Sequence, residues 1–91
     1  MADLSKATFT AILRHIVGGF EDSAFQEAFA AAKTDGDVSR LVALPTDVQT
    51  DAFAAHGLDP VAGQAAFKAA GRAYAGDPDV AALLGRMKAA L

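Results

Sequence analysis

The sequence predicts an all-α fold, a compact bundle of five or six short helices. Two observations carry this. Alanine, the strongest helix former, supplies 23 of 91 residues. Apolar residues recur at three- and four-residue spacing, and no segment alternates with the period of two that marks a half-buried strand. The three prolines and the doublet Gly18-Gly19 stand at expected helix boundaries.

The first helix is expected over 5–17. Ser5 caps it, and Phe9, Ile12, Leu13, Ile16, Val17 and Phe20 make one broad apolar stripe. Gly18-Gly19 is the expected stop, because glycine accepts the left-handed C-terminal cap. Ser23 and Gln26 have capping-box spacing and open a second helix with Phe25, Ala28, Phe29 and Ala32 on its apolar face. A short third helix carries Val38, Leu41, Val42 and Leu44, with Asp35 as its cap and Pro45 as its end. Thr46 and Gln49 form another capping box and open a fourth helix with Val48, Ala52, Phe53 and Ala55. Gly57 at the left-handed position places Phe53 and Leu58 in contact, as a Schellman motif requires.

Asp59-Pro60 and Asp77-Pro78 each combine an N-cap with proline at the first helical position. They open helices running to about residue 75 and to the C-terminus. The last carries Val80, Leu83, Leu84, Met87 and Leu91. Gly63 and Gly71 lie two turns apart on the penultimate helix. Since interior glycine costs about 1 kcal/mol relative to alanine, their alignment predicts a closely crossing helix backbone.

Residues 25–44 and 67–86 share seven identities: Phe25/Phe67, Ala28/Ala70, Ala31/Ala73, Asp35/Asp77, Asp37/Asp79, Val38/Val80 and Leu41/Leu83. His15 and His56 correspond at an offset one residue shorter. On this pattern the single domain, 1–91, reads as an internal repeat of two three-helix units, 5–44 and 46–91.

Composition excludes several classes of function. Without cysteine there is no disulfide framework, thiol nucleophile or thiolate metal site. No apolar run is long enough for a membrane span, and the start lacks a secretory plan, so a cytoplasmic location is expected. Eight scattered basic residues in a chain of net charge −3 argue against nucleic acid. Nucleophile and phosphate-loop motifs are absent, and the serines fall at helix starts, so no enzymatic activity is expected.

Three sets of residues remain as candidates. Phe25-Gln26-Glu27-Ala28-Phe29 followed by Thr34-Asp35-Gly36-Asp37 resembles the entering helix and loop start of a calmodulin-type EF-hand, with an echo from Phe67 to Asp79. The resemblance implies calcium ligation by Asp35, Asp37, Asp77 and Asp79. Against it, Lys33 and Leu44 stand where such a loop places its first and twelfth-position oxygen ligands. The competing role is helix capping, with Asp35 and Asp77 as caps and Asp37 and Asp79 in the first turns. His15 and His56 are the second set, as axial ligands of a haem or other tetrapyrrole in a phenylalanine-lined core. The third is a docking face built from alanine- and glycine-rich helices and the phenylalanines at 9, 20, 25, 29, 53 and 67. The leading expectation is a small non-enzymatic binding protein, serving as subunit, adaptor or homo-oligomer through hydrophobic helix faces.

Overall fold

The apolar stripe of the first helix is long enough to become the centre of the molecule, and in the computed structural model it does. The structure describes residues 4–91. Five helices follow in order: α1 (Lys6–Glu21), α2 (Ser23–Asp35), α3 (Val38–Ala55), α4 (Pro60–Ala73) and α5 (Pro78–Ala89). The other four all pack against α1, and α2 also lies along α3. Phe9, Ile12, Leu13, Ile16, Val17 and Phe20 are all buried, as the stripe requires. No helix among the described residues is long and apolar enough to cross a membrane.

The Gly18-Gly19 doublet does not end α1, which continues to Glu21. One more turn buries Phe20 completely. Burying such a side chain contributes about 1.5–3 kcal/mol, the same size as the cost of two helical glycines at about 1 kcal/mol each. Gly19 also has a packing role: a Cβ there would sit 2.6 Å from Val48 Cγ1. Asp22 alone forms the corner. Its carboxylate accepts the Ala24 and Phe25 amides, so Asp22 and not Ser23 caps α2. Gln26, expected to complete a capping box, instead donates its side-chain amide to the carbonyls of Phe20 (2.5 Å) and Ala90 (2.9 Å), tying the end of the chain to the α1–α2 corner.

Gly36, at φ 66°, is the α2 terminator missed in the sequence. The Asp37 amide reaches back to the Ala32 carbonyl and the Gly36 amide to that of Lys33, the paired bonds of a Schellman motif. Asp37 then caps α3 by accepting the Arg40 amide at 3.1 Å, while Asp35, the expected cap, is the last residue of α2.

Pro45 does not divide α3; it lies inside one 18-residue helix. The Thr46 hydroxyl donates to the Val42 carbonyl at 2.7 Å, bonding backwards along the helix rather than capping a new one. Leu41, Leu44 and Val48 pack on the core, and Ala52 and Phe53 enter it, so one apolar row runs through the proline. Anchoring on both sides holds the helix together where local preference would break it.

The Gly57 Schellman turn forms as expected. The Leu58 amide bonds the Phe53 carbonyl at 2.8 Å, and Leu58 packs on the core. Asp59 and Asp77 cap α4 and α5 through pairs of first-turn amides. The close approach expected at Gly63 and Gly71 is of a different kind. A Cβ at Gly63 would lie 2.9 Å from Phe53 Cγ, so this notch receives an aromatic ring, not a helix backbone. A Cβ at Gly71 would make only ordinary contact with Phe9, at 4.0 Å.

All six phenylalanines are core residues. Phe20, Phe25 and Phe29 stack in series with centroids 5.1 and 5.5 Å apart. Phe9, Phe53, Phe67 and Tyr74 form a second group, with centroids 5.0–5.8 Å apart. Tyr74 donates its hydroxyl to the Leu4 carbonyl at 2.9 Å, fastening the segment before α1 onto α4. Within the 42-residue echo Phe25 and Phe67 are both buried, whereas Val80 is fully buried and Val38 is 70% exposed.

Candidate functional site

The four aspartates singled out in the sequence do not converge. Asp37 and Asp77 direct their carboxylates to helix-opening amides, Asp79 lies in the first turn of α5, and Asp35 is exposed at the end of α2. Residues 38–44, which an EF-hand would hold as a ligating loop, are helical. Among the described residues no group of three or more His, Cys, Asp or Glu side chains is placed to hold a metal ion.

Asp77 also pairs with Lys6, joining the starts of α5 and α1. The Lys6 ammonium holds the Asp77 carboxyl below the usual carboxylate range, helped by the Val80 and Asp79 amides. Asp77 raises Lys6 in return. At the opposite end Arg86 donates to both Glu21 oxygens, at 3.2 Å from Nε and 2.5 Å from Nη2. This bond lowers Glu21 and raises Arg86. These two ion pairs clamp the ends of α5 to α1.

The structure does bring His15 and His56 together. His15 lies on α1 and His56 caps the C-terminus of α3, with ring centroids 6.4 Å apart and planes at 66°. Both are exposed. They therefore face water, outside the aromatic core that the tetrapyrrole expectation required. That core is occupied by interlocking phenylalanine rings, and a flat macrocycle would have to displace them. The histidine pair does not fit a haem held in the bundle interior.

A different arrangement emerges between α4 and α5, which barely touch each other because each packs separately on α1. The gap is a surface groove of about 380 Å³ lined by Phe67, Lys68, Gly71, Arg72, Leu84 and Lys88. Phe67, Gly71 and Leu84 supply apolar surface; Lys68, Arg72 and Lys88 bring three positive charges to a chain of net charge −3. The cations at 68 and 72 are one turn apart on α4, as are Leu84 and Lys88 on α5. Among the described residues none of the three cations pairs with a carboxylate, whereas Lys6 and Arg86 do. The sequence showed the 68/72 pair, but it did not show Lys88 facing it.

No protein-family model, curated protein or solved structure matches the chain.

Proposed function

We propose that this chain is a non-enzymatic protein-interaction module that docks an acidic amphipathic helix in the α4–α5 groove. The observation that carries the reading is the combination of an apolar floor with three unpaired cations. An amphipathic helix binds a groove through apolar anchors at one-turn spacing. Phe67 and Leu84 offer the complementary surface, and Lys68, Arg72 and Lys88 select carboxylates along the anchor's flanks. Rim charges of this kind steer encounter and discriminate partners more than they add affinity. The other five phenylalanines lie beneath this surface as its support, and Phe67, itself a core residue, shows one edge to the groove.

The test is fluorescence anisotropy with two labelled helical peptides of equal length and identical leucine spacing, one with glutamate and one with lysine on the polar face. The acidic peptide is expected to bind, more weakly as salt rises, and the basic peptide is not. Reversing the rim with Lys68→Glu, Arg72→Glu and Lys88→Glu, all at exposed positions, is expected to invert that preference with the far-UV spectrum unchanged. Equal binding of both peptides, or no binding of either, overturns the proposal.

A second reading, self-association, rests on Val38 and Val42. They are one turn apart on α3 and 70% and 63% exposed. A dimer mass in solution that reverts to monomer on Val42→Asp would favour it.

A further inference from the structure

We propose that His15 and His56 form a surface site for a divalent transition-metal ion, with Cu2+ bound most tightly. The two residues are far apart in sequence and meet only because α1 packs against α3. Their backbones are held firmly. His15 is flanked on α1 by Ile12 and Ile16, both completely buried. His56 is fixed between the buried Phe53 and the Gly57 turn, where the Gly57 and Leu58 amides bond the Ala54 and Phe53 carbonyls. The side chains themselves are exposed, so the rings can turn without disturbing the core. A rigid base with adjustable rings is the arrangement a two-imidazole site needs.

The spacing suits one shared ion. With metal–nitrogen bonds of about 2.0 Å, two imidazoles at adjacent positions of the tetragonal centre that Cu2+ prefers place their centroids roughly 4.5 Å apart, and at opposite positions roughly 6 Å apart. The observed 6.4 Å lies at the upper end of that range, and rotation of the two exposed side chains brings a ring nitrogen of each towards a shared ion.

The donor set determines the class of ion. Neutral imidazole suits copper, nickel and zinc, whereas magnesium and calcium require oxygen ligands. Among divalent ions of the first transition row, a nitrogen site binds Cu2+ most strongly. No third protein donor joins the pair among the described residues, so water completes the coordination. The nearest basic neighbour in sequence, Arg14, lines a separate cleft with Lys6 and Asp79 beside α5.

The experiment is calorimetric titration of the full chain with Cu2+ in a non-coordinating buffer, paired with thermal melts. Wild type is expected to bind one Cu2+ through the pair, and its melting temperature should rise by at least about 5 °C when free Cu2+ is a hundredfold above Kd. His15→Gln and His56→Gln are each expected to weaken this binding by about tenfold or more, because one imidazole cannot chelate. Both substitutions are at exposed positions, and far-UV circular dichroism of each variant checks that the fold is kept. The double variant measures copper bound elsewhere on the chain, and Mg2+ should produce no binding signal. The proposal is overturned if either single variant matches wild type, or if wild type takes up two equivalent ions, one per histidine.

Discussion

Replacing Gly63 with alanine tests a closely fitted contact between α3 and α4. In an unconstrained helix interior this change stabilises by about 1 kcal/mol. Here the new methyl would lie 2.9 Å from Phe53 Cγ, 3.1 Å from Cδ2 and 3.3 Å from Cβ. These atoms are at the root of the side chain, so the ring cannot swing clear by moving its tip. Phe53 is completely buried, and its ring also packs on Phe67 with centroids 5.8 Å apart. Overpacking of this kind costs about 1–3 kcal/mol. The helix gain offsets part of it, leaving a net loss of about 1 kcal/mol and a melting temperature lower by about 4–8 °C. Gly85 provides the control. It is exposed in the interior of α5, and a Cβ there meets nothing within 4 Å. Gly85→Ala should therefore stabilise by about 0.5–1 kcal/mol. Urea denaturation followed by far-UV circular dichroism measures both. If Gly63→Ala stabilises as much as Gly85→Ala, Phe53 does not occupy the notch and the argument fails.

Asp59→Ala removes the acceptor for the Val61 and Ala62 amides, both at 3.1 Å, and should lower stability by about 1 kcal/mol in the same denaturation assay. Tyr74→Phe removes the hydrogen bond to the Leu4 carbonyl and should cost about 0.5–1.5 kcal/mol, read as a shift in urea midpoint at constant slope. Asp77 and Glu21 both have carboxyl pKa values lowered in the fold. Their contributions are therefore complete above the unfolded carboxylate pKa and are lost as pH falls below about 4 through the folded values. The melting temperature of the Asp77→Asn, Glu21→Gln double variant should consequently fall less steeply with acidification than that of wild type. Parallel curves would show that the two ion pairs contribute nothing measurable.

The sequence by itself determined the helical class, the α1 stripe and the starts of α4 and α5. Each of these signals is local. An Asp-Pro pair, a left-handed glycine and a three-four spacing act through contacts within about a turn of chain, so they can be read without knowing what lies across the bundle. Gly57 illustrates this: its turn joins Phe53 and Leu58, only five residues apart. Gly36 carries the same signal, but it stands between Asp35 and Asp37, whose side chains are equally suited to capping a following helix or ligating calcium.

Tertiary packing decided the rest. It carried α1 through Gly18-Gly19 to bury Phe20, and it kept α3 continuous through Pro45 because Leu44 and Val48 pack on the same core. The row Leu41, Leu44, Val48 and Ala52 was visible in the sequence, but only burial could show that it outweighs the missing proline amide. Packing also took all six phenylalanines into the core, moved the histidine pair to the surface and opened the groove between α4 and α5. Those outcomes depend on which helix faces meet. That choice is a comparison of buried areas across distant segments, which local preferences do not contain.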